Sequence, residues 1–245
     1  MIKIIVPSIN PINLSCCLEH INRNTEGDYN VAVIGDWYIC NLAKKFNRVI
    51  TIEEKKRGGC INALMEGVRQ YPSEYVILLG DDMLPEKGWL NNLYSYMKKK
   101  NLDYAGYRIK NILGKELKQY KYIYETSGIP LTMSGLIKPE YLISTGCFDR
   151  GYKHYWFDAD ICMRIWKMGG KIGICPDSWI CLTSVTENVG ENYHQDEALF
   201  RKYWLRDLRR LKYRNIWYWL KLGFVKELIR KRYCRRKSKK GNENL

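Results

Sequence analysis

Short apolar runs alternate with longer amphipathic stretches through the first half of the chain. Four runs rich in β-branched residues predict strands, at Ile2–Val6, Val31–Gly35, Val49–Ile52 and Tyr75–Leu79. The stretches between them predict helices, at Ile12–Arg23, Tyr38–Phe46 and Cys60–Gln70. Continuous apolar strands alternating with helices are typical of a mostly parallel α/β sheet covered on both faces. Binding sites in such sheets lie beyond the carboxyl ends of the strands.

The second half of the chain has a looser pattern. Helices are expected at Trp89–Lys100, Pro139–Thr145 and Trp156–Met168, and two strands at Lys171–Cys175 and Trp179–Leu182. The Tyr104–Tyr124 stretch is rich in Tyr and Lys, and it predicts either a hairpin or a loop beside the acceptor of a reaction.

Basic residues are concentrated near the C-terminal end. Residues 201–240 hold 17 Lys and Arg against two acidic residues, whereas residues 1–200 hold 24 against 23. The net charge of +15 therefore belongs almost entirely to one segment. We predict a domain over residues 1–200 and a basic, aromatic-rich helical tail over residues 201–245.

The tail interleaves Lys and Arg with Leu and three tryptophans, Trp204, Trp217 and Trp219. This composition is typical of a helix that lies on an anionic membrane surface. The same charges could bind the phosphates of a nucleic acid, but the clustered tryptophans favour lipid. As a third alternative, the first half of the tail, up to about Leu211, packs on the domain.

The nine cysteines form no CxxC pair, and their odd number favours reduced thiols over a disulfide scaffold. No apolar stretch reaches the ~18 residues of a membrane span, and the N-terminal MIKIIVP does not resemble a signal peptide. We therefore expect a cytoplasmic protein that binds the cytoplasmic face of a membrane peripherally.

Two adjacent carboxylates, Asp81 and Asp82, follow the strand in VILLGDDMLPEKGWL (76–90). Such a pair suits a hard divalent cation that also binds substrate phosphates. Asp36 follows a neighbouring strand, so a nucleoside diphosphate could lie between them. The alternative is structural, with an Asp that caps the helix predicted to begin near Glu86.

Six stretches occur in the order of a known enzyme family: IIVPSIN (4–10), VAVIGDW (31–37), VILLGDDMLPEKGWL (76–90), GCFD (146–149), FDADICMR (157–164) and CPDSW (175–179). Together they resemble family 2 glycosyltransferases. The resemblance implies the GT-A fold, which is a Rossmann-like sheet flanked by helices, with the basic helical extension added here. It also implies transfer of a sugar from a nucleotide sugar, with UDP as the expected nucleotide and Mn²⁺ or Mg²⁺ as the cofactor.

The resemblance assigns roles to residues at the strand ends. Asp82 corresponds to the metal-binding Asp of the DxD-type motif, with Asp81 beside it, whereas Gly80 replaces the first Asp of that motif. Pro7, Ser8 and Asp36 correspond to residues that hold the base and ribose of the donor.

A second acidic site lies in FDADICMR. Asp158 corresponds to the general base of inverting family members, and Phe157 replaces the Glu that usually precedes it. Burial among the aromatic residues 155–157 should raise the pKa of this carboxyl toward neutrality. The alternative is that Asp158 only caps its helix. Asp160 and Arg164 are four residues apart, so we expect them to form an ion pair.

Two further assignments concern the phosphates and the metal. The Lys-Arg-Gly-Gly stretch precedes a helix, so Arg57 and the backbone at Gly59 could bind phosphate, or the glycines could simply form a turn. The family often completes its metal shell with a His. This chain has Thr183 there, and the nearest His is His194.

Together these features predict a metal-dependent, inverting hexosyltransferase that acts on a glycan or a lipid-linked acceptor. A nucleotidyltransferase on a related sheet would also use carboxylates at strand ends and a metal, but it would release pyrophosphate. A non-catalytic binding protein with a basic tail is the third alternative, because Gly80, Phe157 and Thr183 depart from the family pattern.

Overall fold

The computed structural model describes residues 1–117, 120, 123–124, 127–144, 151–183 and 192–211. Its strands are β1 (Ile2–Pro7), β2 (Tyr29–Gly35), β3 (Val49–Glu53), β4 (Tyr75–Leu78), β5 (Met83–Pro85), β6 (Tyr104–Asn111), β7 (Gly135–Ile137) and β8 (Ile172–Leu182). Its helices are α1 (Pro11–Asn24), α2 (Trp37–Ala43), α3 (Cys60–Gln70), α4 (Trp89–Lys100), α5 (Pro139–Ser144), α6 (Phe157–Lys167) and α7 (192–211). The strands form one sheet in the order β3-β2-β1-β4-β7-β6-β8-β5.

The four strands β3, β2, β1 and β4 pair in parallel, so their carboxyl ends meet at one edge. Their side chains alternate between two apolar cores. Ile4 packs with Leu14 of α1 on one face of the sheet, and Ile5 packs with Leu64 and Val68 of α3 on the other. Burial on both faces explains why these strands are continuously apolar, and it confirms the predicted α/β architecture.

The other half of the sheet is mixed. Strand β7 pairs antiparallel with both β4 and β6, β8 runs parallel to β6, and β5 pairs antiparallel with β8. Parallel pairing is therefore concentrated in the N-terminal half of the sheet, where strands alternate with crossover helices along the chain.

The two strands expected at Lys171–Cys175 and Trp179–Leu182 are one strand, β8. Its partner β6 pairs Gly106 with Ile174 but Arg108 with Trp179, so β8 carries extra residues between these two pairs. A proline in this bulge, which cannot donate to a neighbouring strand, made the sequence pattern resemble two strands.

The predicted bounds of α3 and α4 are confirmed, and the Tyr104–Tyr124 stretch begins as a hairpin. After β6 the chain turns, and Lys110 forms a bridge with Glu116. The predicted motif GCFD (146–149) lies outside the described residues. In the described ranges, no helix is both long and apolar enough to cross a membrane.

Helix α7 crosses position 200, where the domain was predicted to end. Phe200, Trp204 and Leu211 are buried in the core that also contains α3 and α6. The Trp204 Nε1–H donates to Asp160 Oδ1 at 2.5 Å, and Arg164 forms the predicted ion pair with Asp160 at 2.6 Å. Residues 201–211 therefore pack on the body, as the third alternative for the tail expected. Residues 212–245 lie outside the described part.

We expect Trp204→Phe to lower the free energy of unfolding by about 1–3 kcal/mol, because it leaves a buried carboxylate oxygen without its donor. Urea denaturation measures the change. The matched control is Trp37→Phe, since Trp37 is 65% exposed and its replacement should change the stability by less than about 0.5 kcal/mol. Equal effects of the two substitutions would contradict the anchoring role of Trp204.

Candidate active site

The carboxyl ends of β1 and β4 are joined by a hydrogen bond. Ser8, directly after β1, donates its Oγ–H to Asp81 Oδ2 at 2.6 Å. Burial raises the pKa of the Asp81 carboxyl, the Ser8 bond opposes this shift, and the nearby charge of Asp82 adds to it. The two predicted donor residues Ser8 and Asp81 therefore lie together, in a place that disfavours a second negative charge.

Asp82 is held through its backbone. Thr183 donates its N–H and its Oγ1–H to the Asp82 carbonyl oxygen, at 3.0 and 3.1 Å. A Cβ at Gly80 would lie 2.6 Å from Asp82 Oδ1, so the glycine makes room for this carboxylate. Helix α4 has Gly88 at its N-cap with no side-chain cap, so the alternative that Asp81 or Asp82 caps it is wrong.

Asp36 caps α2, because its Oδ1 accepts the Ile39 N–H at 3.1 Å. Arg57 donates to Asp36 Oδ2 at 3.0 Å. The Ile39 N–H, which has the larger effect, and the Arg57 guanidinium hold the pKa of the Asp36 carboxyl below its usual value. Asp36 therefore has a structural role as well as its predicted donor role, and it positions the guanidinium of Arg57.

Gly59 is the N-cap of α3 and has a φ of +87°. Nothing lies within 4 Å of a Cβ built at this position, so the backbone conformation rather than space favours glycine. Both predicted phosphate contacts, Arg57 and Gly59, line the large cavity described next.

A cavity of about 1350 Å³ connects the strand ends with α6. Its wall includes Pro7, Ser8, Asp81 and Asp82 on one side and Asp158 on another. Arg57 and Gly59 line the same cavity as these predicted site residues. Asp36 does not line it, but it pairs with Arg57, which does.

Asp158, the second residue of α6, is 6% exposed. Tyr120 donates its hydroxyl to both carboxylate oxygens, at 2.8 and 2.9 Å. Burial raises the pKa of Asp158 to about 7, although the Tyr120 hydrogen bond opposes the shift. The N-cap position of α6 is Trp156, which makes no side-chain cap. A buried carboxyl with this pKa can accept a proton at neutral pH.

A second buried aspartate, Asp196 of α7, organises the loop that leads into α6. Its carboxylate accepts the backbone N–H groups of Lys153, His154 and Tyr155, at 2.9, 2.9 and 2.8 Å. The loop then reaches Trp156, whose φ is +63°. Helix α7 therefore fixes the entry to α6 and, with it, the position of Asp158.

The sequence did not predict several residues that line the cavity. Tyr120 lies in a stretch without periodicity, and Tyr193, Glu197 and Arg201 lie on α7, in or beside the segment that composition marked as a basic tail. The i, i+4 spacing of the last three residues could have indicated one face of a helix.

His154 and the predicted metal-ligand candidate His194 differ in position. His154 lines the cavity. His194 is an exposed residue of α7, and its ring contacts that of Tyr193 at 5.5 Å between centroids. Thr183 holds the backbone of Asp82, as described above, and within the described ranges no three His, Cys, Asp or Glu side chains form a metal-binding group.

Residues 4–160 match the sequence model described as glycosyl transferase family 2. A search of curated proteins gave no match. Among solved structures, S. aureus TarS 1-349 is similar, with a TM-score of 0.60 and 14% identity over 74% of this chain and 60% of that chain. The complex of TarS 1-349 with UDP-GlcNAc has a TM-score of 0.60 and 14% identity, over 78% of this chain and 60% of that chain. The complex with UDP has a TM-score of 0.63 and 13% identity, over 81% of this chain and 64% of that chain.

The chain thus spans less than two thirds of these structures, and at such low identity the likeness shows the fold alone. That fold is the GT-A type that the sequence predicts. The family match covers more than half of the chain. The chain therefore belongs to glycosyl transferase family 2.

Proposed function

We propose that the protein transfers a sugar from a nucleotide sugar, with UDP as the nucleotide, to an acceptor hydroxyl with inversion at the anomeric carbon. One observation carries the proposal. The paired carboxylates Asp81 and Asp82 and the buried Asp158 open into the same cavity, where the pKa of Asp158 is about 7. The TarS structures with UDP-GlcNAc and UDP support the choice of donor, because they share this fold.

The donor would lie at the strand ends. Pro7 and Ser8 would contact the base and ribose, with Asp36 acting beside them and through Arg57. The Arg57 guanidinium and the backbone at Gly59 would contact the diphosphate at the N-terminus of α3.

A divalent cation, Mg²⁺ or Mn²⁺, fits the donor set. Asp82 would bind it, aided by Asp81, and the cation would offset the burial and the Asp82 charge that together raise the pKa of Asp81. Mg²⁺ commonly takes one or two carboxylates and completes its shell with water and substrate phosphates, so a third protein ligand is not needed. When bound, the cation would neutralise charge on the leaving diphosphate.

At the acceptor end, Asp158 would accept the proton of the acceptor hydroxyl while that oxygen attacks the anomeric carbon. The bond from that carbon to the phosphate oxygen breaks, and its electron pair leaves with the nucleoside diphosphate. Attack from the face opposite the leaving group inverts the configuration. The Tyr120 hydroxyl would hold the Asp158 carboxylate in place during the transfer.

The acceptor and the location are part of the proposal. The acceptor would be a glycan or a lipid-linked sugar, and the protein would sit on the cytoplasmic face of an anionic membrane. After residues 201–211 are assigned to the body, residues 212–240 still hold 12 Lys and Arg against one acidic residue. With Trp217 and Trp219, this segment suits a lipid surface better than a nucleic acid.

Asp82→Ala should lower metal-dependent release of nucleoside diphosphate by at least about 100-fold, since it removes the proposed cation ligand. The measurement is release from a panel of nucleotide sugars, with and without Mn²⁺. Asp28→Ala is the matched control, because Asp28 is largely exposed and precedes β2, at the opposite end of the parallel strands. Release of pyrophosphate would favour a nucleotidyltransferase, and no release from any donor would overturn the proposal.

The pH dependence of kcat/KM should report Asp158. We expect kcat/KM to fall as the pH drops below about 7, because the base must be ionised. Tyr120→Phe removes the hydrogen bond that lowers this pKa, so the midpoint should move up by about one unit. A midpoint unchanged in Tyr120→Phe would contradict the assignment of the base.

Asp158→Asn should stabilise the fold in a pH-dependent way. The folded-state pKa lies above the ordinary value of 3.8, so the wild type loses stability as the pH rises from about 4 to 7. Asn does not titrate, so its advantage over the wild type should grow across this window, by on the order of 2–4 kcal/mol. Urea denaturation at pH 4.5, 6 and 8 measures the difference in unfolding free energy between Asp158→Asn and the wild type. A difference that does not change with pH would refute the raised pKa of Asp158.

A further inference from the structure

One face of α7 forms a long wall of the cavity. Tyr193, Glu197, Arg201, Leu205 and Leu208 all line it. Their spacing of three or four residues places them on the same face of the helix. At 1.5 Å per residue, this stripe is about 22 Å long. The wall therefore extends well beyond the immediate surroundings of any single bound sugar.

The N-terminal end of the stripe is polar and aromatic, and it lies beside the proposed base. The Tyr193 ring contacts those of Tyr155 and Trp156, with centroids 5.4 and 5.9 Å apart. Glu197 accepts two hydrogen bonds from Arg201, at 2.7 and 2.9 Å. Aromatic faces and charged hydrogen-bonding groups at this end suit the ring and hydroxyls of an acceptor sugar.

The C-terminal end of the stripe presents two leucines to the cavity, beside Arg209. Leu205 and Leu208 are only partly buried, so both keep apolar surface in the cavity. The same cavity is lined from α3 by Ala63 and Leu64. The proposed donor contacts lie at the strand ends and at Arg57 and Gly59, and none of them is on α7.

We propose that the Leu205–Leu208 end of the cavity is a subsite for a hydrocarbon chain attached to the acceptor sugar. The proposal rests on the proposed function. Because the cavity is continuous with Asp158, a molecule that fills both ends has its reacting hydroxyl at α6 and its apolar part along α7. The chain then continues after Leu211 into the basic segment with Trp217 and Trp219, so a lipid surface would supply such an acceptor.

The test is calorimetric titration of the full-length protein in the presence of UDP. The probes are the octyl and methyl β-glycosides of glucose, galactose and N-acetylglucosamine, below micelle-forming concentrations. We expect the octyl glycoside of at least one sugar to bind with a Kd at least tenfold lower than its methyl counterpart, since two or three buried methylenes give that factor.

The double variant Leu205→Ser, Leu208→Ser should reduce this ratio to below about threefold. The matched control is Leu113→Ser, because Leu113 is 85% exposed and lies in the turn after β6, so the ratio should be unchanged. If the double variant unfolds, the single variant Leu205→Ser should still lower the ratio at least threefold.

Three results would overturn the subsite: no binding of any octyl glycoside, equal affinity for octyl and methyl glycosides, or an octyl preference that survives the double variant. If nucleotide release from a donor persists in these cases, the proposed function stands and only the subsite fails. An octyl preference that depends on Leu205 and Leu208, in a protein that uses no nucleotide sugar, would leave a hydrocarbon site with no acceptor to serve, so the proposed function and the acceptor subsite would both be overturned.

Discussion

A buried carboxylate must find hydrogen-bond donors or a cation, or else its pKa rises. Three aspartates of α6 and α7 meet this constraint in different ways. Asp160 receives Arg164 and Trp204, and Asp196 receives three backbone N–H groups. Asp158 receives the Tyr120 hydroxyl and local backbone N–H groups at the start of α6, and burial still raises its pKa to about 7. The donors thus go to the two carboxylates that fasten α7 to α6, and the carboxyl facing the cavity remains able to exchange a proton.

The site at the strand ends depends on how β1, β2 and β4 are paired, just as the position of Asp158 depends on α7. Parallel pairing of β1 with both β2 and β4 sets Ile5 opposite Ala32 and Leu78. The residues that follow these strands therefore meet at one edge. Ser8 reaches Asp81, and the turn after β2 places Asp36 where it caps α2 and binds Arg57. A shift of one residue in this pairing would exchange the faces of each strand and separate these groups.

The local sequence pattern predicted the helices and strands well, but it did not predict contacts between residues far apart in the chain. The bounds of α3 and α4 follow from helical periodicity, which depends only on near neighbours. The bonds from Ser8 to Asp81 and from Tyr120 to Asp158 join residues 73 and 38 positions apart, and no local signal marks them. The family resemblance singled out Asp158, but the tyrosine that binds it and the loop carboxylate Asp196 became visible only when the chain was folded. The roles of Asp81 and Asp82 toward a metal stay predictions.

The division of the chain at residue 200 shows how composition can mislead. Five of the 17 basic residues in 201–240 lie on α7, where Trp204 and Leu211 are buried and Lys167 of α6 pairs with Asp207 at 3.6 Å. A helix can carry many charges on its outer face and still have an apolar stripe that packs. Charge alone therefore placed the boundary at residue 200, which lies inside α7. The same helix braces α6 through Trp204 and Asp196 and lines the cavity, so part of the segment that composition marked as a tail belongs to the body.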